Sequence, residues 1–535
     1  GRPGDVLRLQ DQDAVAVALG DGDADALMFR IASAARTIAW TSDDTWRRVA
    51  TSLRGPFGRG VHRDRELVPG VGLRDGEIHL LGDPAGDPAL TLRAAALAAQ
   101  HHTVIDRDSL ELLASRATPL PDPWPPGLRG GLAELLLVGP AAIPVIESLD
   151  QRGLWVWLIP EWAPVRSRPQ RNAYHRFTVD RHLVEAAAGA ARLADRVQRP
   201  DLLVIGALLH DIGKGRPGDH TEVGIELVRA LATRMGFEPA DVDDLVAMVA
   251  HHLLLPDVAT RRDIDDPATI ERVAEAVGSR QRLELLAALT EADSLATGPA
   301  AWGTWKAGLV AQLVERVDHV LGGGTATEVM PEEFPTAADV ARMAEGRRVI
   351  EADGDVLTII ARDRPGLFSR VAGVLTIHGL GVLTAHAYSS EDGTAFNRFT
   401  VESLFGSEPR WDRITRDLEA ALEGRLALSA RVEEKAQSYA RRASAANTRP
   451  ARVTIDRDAS HTSTVVDVHA ADGLGVLFRI TRALADLDLD VRSARVQTQG
   501  ARVVDAFYVR DSEGRKITDE AHLTEIERAV LFALR

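Results

Sequence analysis

The chain contains no cysteine, and that removes several chemistries at once. Disulfides, thiolate zinc sites and a cysteine nucleophile are excluded, so any metal must be held by imidazole and carboxylate. Basic charge is also in deficit: 63 Lys and Arg stand against 78 Asp and Glu, a formal charge of −15. A general nucleic-acid binder needs a basic footprint, which this balance does not supply. A small phosphorylated substrate carried by a metal is not excluded. No apolar run reaches the roughly 18 residues that a transmembrane helix requires, and the first residues (GRPGDVLRLQ) form no apolar signal region. These absences lead to the expectation of a soluble cytoplasmic protein that binds neither nucleic acid nor membrane. What is present is ordinary globular composition, 45% hydrophobic and 26% charged over 535 residues, enough for about three or four domains.

Helical spacing dominates the first part of the chain, for example over Ala24–Ala35 and Leu90–Gln100. Between them Leu67–Leu81 reads as a hairpin turning at Arg74-Asp75-Gly76, and the proline cluster Pro119–Pro126 marks a boundary. From about Arg129 to Leu321 the pattern is helical almost throughout; Gly322-Gly323-Gly324 then opens a linker to about Arg347. Beyond it the texture changes to strand (Val356–Ala361), turn, helix (Leu367–His378), strands (Val382–Ser389 and Thr394–Glu402), helix (Trp411–Glu423) and an expected closing strand at Leu426–Val432. After a polar linker at about Glu434–Pro450 the order recurs, with Asp363 matching Asp472, Gly366 matching Gly475 and Arg370 matching Arg479. The second copy stops at its last helix, so Arg452–Asp456 is the candidate for its missing strand.

One region is dense enough in His and Asp for hydrolysis. The apolar stretch Leu202–Leu209 ends in His210-Asp211-Ile212-Gly213-Lys214. Adjacent His and Asp at the end of a buried helix can reach one metal from neighbouring directions. His182 lies upstream; His220, the pair His251-His252 and Asp293 lie downstream, each at or within a predicted helix. Neutral imidazoles and carboxylates suit Mg2+ or Mn2+ best for this chemistry, and accept Fe or Zn2+. The set offers enough donors for one ion, or for two with Asp211 as a bridge. Its chemistry would be attack by metal-activated water on phosphorus. Lys214, a turn beyond His210, is placed either to neutralise a phosphate oxygen or to serve as a solvated helix-end lysine. His210, Asp211 and Lys214 are thus the catalytic candidates, and Arg176, Arg261 and Arg262 are further phosphate candidates.

A His, then His-Asp, another His, His-His and a terminal Asp, in that order, resembles the HD metal-dependent phosphohydrolase superfamily over about Tyr174–Lys306. The surrounding text is more specific: His175–Asp180 (HRFTVD), Gly215–Glu222 (GRPGDHTE), His251–Pro256 (HHLLLP), Thr260–Asp266 (TRRDIDD) and Ala296–Lys306 (ATGPAAWGTWK). With the two C-terminal repeats, this resembles the C-terminal two-thirds of the bifunctional uridylyltransferase/uridylyl-removing enzymes, nitrogen sensors that modify the PII signal protein. The repeats look like ACT domains. The implied fold is multidomain, an all-α HD phosphohydrolase domain plus two α+β ferredoxin-like (βαββαβ) ACT domains. The boundaries are a helical segment over residues 1–125, the HD domain over 126–325, a linker over 326–350, ACT domain 1 over 351–433, a linker over 434–450 and ACT domain 2 over 451–535.

The resemblance further implies hydrolysis of the nucleotidyl-tyrosine phosphodiester of PII, with glutamine as effector. The implied effector residues are Asp363, Arg364, Pro365, Gly366, Leu367 and Phe368 in the first copy and Asp472 and Gly475 in the second, whose turn lacks the Arg-Pro step. A homodimer through ACT edge strands is also implied. The Ala- and Arg-rich composition suits a high-GC genome of actinobacterial type, in which the carried group is uridylyl or adenylyl. Asp23-Ala24-Asp25 has the D-x-D spacing of a transferase centre, but no Gly-rich turn stands at the right distance before it, and it reads as a helix N-terminus. The expectation is a chain without the transferase core and without nucleotidylation activity. Two other readings stay open: an HD phosphodiesterase acting on a small nucleotide such as guanosine tetraphosphate, and a non-catalytic amino-acid-binding scaffold.

Overall fold

The computed structural model describes residues 7–53, 65–84, 86–171, 175–298, 301–330, 334–390, 392–406, 408–440, 450–499 and 502–535. In chain order the helices are α1 (Gln12–Leu19), α2 (Ala24–Leu53), α3 (Leu90–Gln100), α4 (Arg107–Arg116), α5 (Pro126–Leu137), α6 (Ala142–Gln151), α7 (Leu154–Leu158) and α8 (Val179–Ala191). They continue as α9 (Pro200–Leu209), α10 (His220–Arg234), α11 (Pro239–His251), α12 (Leu254–Arg261), α13 (Pro267–Val277), α14 (Arg280–Thr297), α15 (Thr304–Leu321) and α16 (Ala337–Ala344). Helices α17 (Leu367–Ile377), α18 (Trp411–Leu422), α19 (Leu428–Ala440), α20 (Val476–Ala485) and α21 (Glu520–Ala533) are interleaved with strands. The chain divides into two units, residues 1–255 with 277–307, and residues 256–276 with 308–535.

In the first unit the organising element is α9. Proline at its first turn leaves no donor stranded, and Leu202–Leu209 are all buried. A helix apolar on every side belongs in a core, and α5, α8, α11 and α14 pack around it. Leu203, Ile205 and Leu208 meet a cluster that includes Leu183, Val249, Leu285 and Leu289, each such side chain contributing about 1.5–3 kcal/mol on burial. Helix α8 packs against α14 at Gly189, where a Cβ would make ordinary contact with the Ala292 methyl at 3.5 Å. No single helix among the described residues is long and apolar enough to cross a membrane. Pro126–Leu137 and Gly139–Gln151 pass that test together only as a pair bent by 110°, and both contribute to the same core.

The expected hairpin is present as β2 (Val71–Arg74) and β3 (Glu77–Leu80), extended to three antiparallel strands by β1 (Arg65–Val68). Asp75 and Gly76 both take positive φ, 53° and 87°, the mirror-image turn that suits strand twist.

The second unit holds an eight-stranded antiparallel sheet. Its strands are β4 (Val349–Asp353), β5 (Val356–Arg362), β6 (Leu380–Ser389), β7 (Thr394–Ser403), β8 (Arg452–Asp456), β9 (Thr464–Ala471), β10 (Asp490–Gln499) and β11 (Arg502–Arg510), in the order β4-β5-β7-β6-β10-β11-β9-β8. Each repeat supplies half, and the halves join where β10 pairs with β6, with Ala494 opposite Ala385. Alternation along the strands sends Ala385, Ala494 and Phe507 into the helix-covered core. Their neighbours His386, Arg495 and Tyr508 therefore face the other side of the sheet.

Two expectations are corrected. Leu426–Val432 is not a strand; Leu428 opens α19. Leu428 and Val432 are four residues apart, a helical spacing, and the sequence that follows (EEKAQSYA) sustains a helix. The fourth strand of the first repeat comes instead from β4, on its N-terminal side, pairing with β5. The second repeat is built alike, with β8 pairing with β9 as its sequence suggested. Both copies therefore run ββαββα, with the outer strand entering first. Within the segment read as a linker from Gly322, α16 is capped by a reciprocal Thr336–Asp339 box and packs Met343 against Ile360 and Phe396. The linker expected at 434–450 is helical as far as Ala440, and residues 441–449 lie outside the described set.

Candidate metal centre and effector turns

The backbone around His210-Asp211 is set by glycine. After α9 the chain turns through Ile212–Gly218 into α10. At Gly213 an added Cβ would stand 2.0 Å from the His220 carbonyl oxygen, and at Gly215 (φ +93°) 2.6 Å from that of Pro164. No larger residue fits at Gly213, and this contact is what holds the turn against the first residue of α10. Asp219 caps that helix, accepting from the backbone N–H groups of Thr221 and Glu222 at 2.9 and 3.1 Å. His220 is thereby presented at the helix start.

Six side chains converge in two groups. His182 (α8), His210 and Asp293 (α14) form one; Asp211, His220 and His252 form the other, with the donor atoms of each group within 4.8 Å of one another. His182 Nε2 lies 2.9 Å from Asp293 Oδ1, and His210 Nε2 lies 3.5 Å from both Asp293 Oδ1 and Asp211 Oδ2. Asp211 Oδ1 stands 3.6 Å from His220 Nε2 and 3.8 Å from His252 Nε2. His210 and His252 are alike in a further respect. Each donates from Nδ1 to the carbonyl three residues back, Ala207 at 2.8 Å and Val249 at 2.7 Å. That bond fixes the tautomer and leaves Nε2 as a lone-pair donor directed into the cluster.

The electrostatics fit a cation. Burial alone would raise Asp211 and Asp293, but nearby imidazoles, with Lys214 at Asp211, outweigh it and hold both well below the usual carboxylate range. Burial lowers His252, helped by His210. At His210 burial pulls down, yet Asp211 and Asp293 bring it above its ordinary value. His210 Nε2 and Asp211 Oδ1 are buried without a hydrogen bond. Buried polar atoms normally have a partner, so this donor set of nitrogen and carboxylate oxygen fits a divalent ion.

Other predicted residues fall differently. His251 is not brought into either group; it is half-buried, lowered by burial and by Arg282. As the last residue of α11 it points away from its neighbour His252, since adjacent helical positions diverge by about 100°. Lys214 Nζ pairs with Asp211 Oδ2 at 2.5 Å and donates to Gln170 at 3.1 Å. The Arg176 guanidinium stacks over Phe177, and Arg261 pairs with Asp257. Arg262 is bound by both guanidinium nitrogens to Asp467 on β9, a commitment that removes it as a free phosphate ligand. Asp23 caps α2 through the Ala26 N–H, and Asp25 pairs with Arg171, in keeping with a helix start.

Sequence reasoning missed two contributors. His175 stacks edge-on with His182, ring centroids 5.5 Å apart. Burial and Lys214 lower it to about 4, and its Nδ1 is buried without a partner. It stands in the loop before α8 and not on that helix, so no helical spacing ties it to His182. Arg36, from α2, holds Glu147, Asp150 and Asp180 together at 2.8, 2.9 and 2.6 Å, and Asp180 precedes His182 by two residues on α8. No local pattern announces a contact spanning more than a hundred positions.

The two turns of the ACT-like repeats are superposable in role. Gly366 and Gly475 cap α17 and α20 in the left-handed region, φ 79° and 85°. Arg370 donates to the Ala421 carbonyl at the end of α18, and Arg479 to that of Ala533 at the end of α21. In the first copy Asp363 N–H donates to Gly393, Arg364 to Leu422 at 3.4 Å, Leu367 is buried, and Phe368 packs on Phe399 at 5.0 Å. Pro365 precedes the capping glycine. The cavity beside this turn, lined by Arg364, Arg370 and Leu367, is about 20 Å³, room for about one water. In the second copy burial raises Asp472.

Comparison with known proteins agrees with these two folds. The HD domain family model matches residues 179–298, and that of the ACR family N-terminal ACT domain matches 459–533. A bifunctional uridylyltransferase/uridylyl-removing enzyme of Streptomyces coelicolor is 42% identical over 595 aligned positions, covering 97% of this chain and 70% of that protein. The Mycobacterium tuberculosis protein of the same description is 39% identical, over 93% of this chain and 64% of its own length. That of Gluconobacter oxydans is 35% identical, over 73% and 48%. The chain thus spans from about half to seven-tenths of these relatives. An HD fold in such company implies metal-dependent phosphohydrolase chemistry, and by identity, coverage and architecture the chain belongs to the bifunctional uridylyltransferase/uridylyl-removing enzyme family.

Proposed function

We propose that this chain hydrolyses the phosphodiester joining a nucleotidyl group to a tyrosine of the PII signal protein, releasing UMP or AMP. The observation that carries the reading is the convergence of two largely buried triads, His182, His210, Asp293 and Asp211, His220, His252, in which His210 Nε2 and Asp211 Oδ1 have no hydrogen bond. One or two divalent ions would be held there, Mg2+ or Mn2+ as the first expectation, although this donor set also accepts Fe or Zn2+. Such an ion supplies Lewis acidity that brings water toward hydroxide near neutral pH and neutralises charge on the phosphoryl oxygens.

The chain's own residues do the rest. The carbonyls of Ala207 and Val249 keep His210 and His252 in the tautomer that presents Nε2. Asp211 and Asp293 stay ionised across the working pH range. Lys214, already at the cluster through Asp211, is the cation nearest to hand for a phosphate oxygen. His175, lowered to about 4 by burial and Lys214, is neutral at pH 7 and packs its ring edge-on against His182. Glutamine acting at Asp363–Phe368 and at Asp472–Gly475 is the proposed regulator; as a switch it must favour one state by a few kcal/mol.

The test is release of UMP and AMP from separately uridylylated and adenylylated PII, with Mn2+, with and without glutamine, for the parent and for Asp211→Ala. Metal-dependent release abolished by Asp211→Ala is expected, with the faster nucleotide identifying the substrate. Absence of release from either form, with metal bound, would overturn the reading. PII incubated with labelled UTP or ATP is expected to gain no label from this chain, and incorporation would refute that part.

A further inference from the structure

A lysine ammonium carries three donors on a tetrahedral nitrogen and accepts nothing. At Lys214 two of the three are engaged. Nζ lies 2.5 Å from Asp211 Oδ2 and donates to Gln170 Oε1 at 3.1 Å. Among the described residues these are its bonded partners. Fixing two donors of a tetrahedral group fixes the direction of the third. The side chain is 24% exposed, so that third donor is available to a ligand.

Gln170 is itself held. Its Nε2 donates to the Phe177 carbonyl at 3.4 Å, so the amide turns its oxygen to the lysine. The Val179 N–H donates to the Arg168 carbonyl at 2.9 Å, tying the chain just before Gln170 to the start of α8. The backbone at Lys214 is fixed separately. A Cβ at Gly215 would meet the Pro164 carbonyl oxygen at 2.6 Å, and Arg216 donates to the Ile212 and Glu161 carbonyls at 3.0 Å each. Both ends of the Gln170–Lys214 bond therefore stand on anchored backbone. Asp211 divides its oxygens: Oδ1 stands 3.6 and 3.8 Å from His220 and His252 Nε2, while Oδ2 takes the lysine. With that one anchor the flexible four-carbon stem would let the ammonium swing about Asp211; the second anchor stops it. The second anchor is also neutral. An amide oxygen orients the ammonium and leaves its charge for an incoming anion, where a carboxylate would neutralise it.

We infer that Gln170 is a positioning residue for the hydrolysis: it holds the Lys214 ammonium so that its third donor meets a phosphoryl oxygen of the bound nucleotidyl group. The inference rests on the hydrolase reading and adds to it a residue that acts only through Lys214. Prior orientation of a charged group is where such a residue contributes, since a small misplacement of a binding group is costly to catalysis.

The test uses the whole chain loaded with Mn2+ and two kinds of probe. UMP and AMP are titrated by calorimetry, and the p-nitrophenyl ester of whichever binds tighter, an aryl phosphodiester like a nucleotidyl tyrosine, is followed by nitrophenol release. The parent, Gln170→Met, Lys214→Met and the double variant are compared. Lys214→Met should weaken nucleotide binding about tenfold or more, as loss of a charge-assisted hydrogen bond does. Gln170→Met should weaken it about five- to tenfold, because the same donor is no longer aimed. In the Lys214→Met background it should do nothing further, since a residue acting through another is silent once the other is gone. The same non-additivity should appear in kcat/KM for the ester. Mn2+ affinity by chelator competition should not change in Gln170→Met, which separates a misplaced lysine from a damaged metal centre. Gln170→Glu should also weaken nucleotide binding, by neutralising the ammonium. If Gln170→Met fails to fold, Gln170→Ala supplies the same cycle. Parent-like nucleotide affinity in Gln170→Met or in Gln170→Glu, or an equal loss from Gln170→Met with and without Lys214, would overturn the inference and leave the hydrolase reading standing. A parent that holds Mn2+ yet neither binds nucleotide nor cleaves the ester would overturn both.

Discussion

Replacing Arg36 by methionine keeps the length of the side chain and removes one charge, and the consequences can be worked through. The guanidinium serves three carboxylates: Glu147 at 2.8 Å, Asp150 at 2.9 Å and Asp180 at 2.6 Å. The Asp150 and Asp180 side chains are only 2% and 3% exposed, so water cannot take over. Asp150 keeps Arg166 at 2.8 Å, and Asp180 keeps the Ser167 N–H at 2.8 Å. Breaking a buried pair by removing one partner costs about 3–5 kcal/mol, and the two residual contacts place the expectation near the lower figure. At about 2–4 °C per kcal/mol for a unit of this size, the melting temperature should fall by roughly 10 °C.

The pH dependence is the sharper signature. Burial already holds Asp150 above its usual range despite Arg36 and Arg166. Without Arg36 the folded-state value of Asp150 rises further above its unfolded value of about 3.9. Groups raised on folding bind protons in the folded state first, so stability should rise more steeply in the variant than in the parent as pH falls from 8 toward 5. Denaturant unfolding at pH 8, 6.5 and 5 reads this directly. A deficit below about 0.5 kcal/mol, or one that is flat across that range, would refute the reasoning. Because Asp180 stands two residues before His182, chelator competition should also show weaker metal binding in a variant that alters no ligand.

Other outcomes follow from the same geometry. Gly213→Ala should cost well over about 2 kcal/mol and abolish metal binding, because its Cβ would fall 2.0 Å from the His220 carbonyl; a folded, metal-binding variant in urea unfolding and chelator competition would contradict the close approach. Asp211→Asn should weaken Mn2+ binding by about 10–100-fold, and chelator should lower the melting temperature of the parent but not of the variant. Arg370→Ala and Arg479→Ala should each cost about 1–2 kcal/mol, since both guanidinium groups close the carbonyl end of a helix; unequal losses by urea titration would refute their equivalence. Asp263 lies buried against Arg495 and is held well below its usual range although burial opposes this. A carboxylate depressed on folding contributes fully above about pH 4 and is lost as pH falls through its folded value, so the second unit of the parent should lose stability below about pH 4, and Asp263→Asn should flatten that slope in acid unfolding followed by circular dichroism.

Much of the architecture was legible because burial writes a period into the sequence. Leu202–Leu209 could only be a core helix, and the alternation in β5 to β7 could only be half-covered sheet. Leu426–Val432 misled because Leu-Ala-Leu alternates over three residues while Leu428 and Val432 keep helical spacing, and a window that short does not separate the two periods. The origin of the fourth strand was illegible for another reason. Val349–Asp353 is too short and too polar to declare its partner, and only the closed sheet shows β4 beside β5.

The candidate site divides along the same line between local and distant information. His182, His210, Asp211, His220, His252 and Asp293 were found because the chemistry of a ligand restricts its residue type, and few types are allowed. His251 was swept in because adjacent histidines look alike in a sequence, although helix geometry sends neighbours in different directions. Arg262 was a phosphate candidate by its charge alone, and only the fold supplies Asp467. Arg36 was invisible, since its role is defined by three carboxylates on other helices and by nothing around it in the chain.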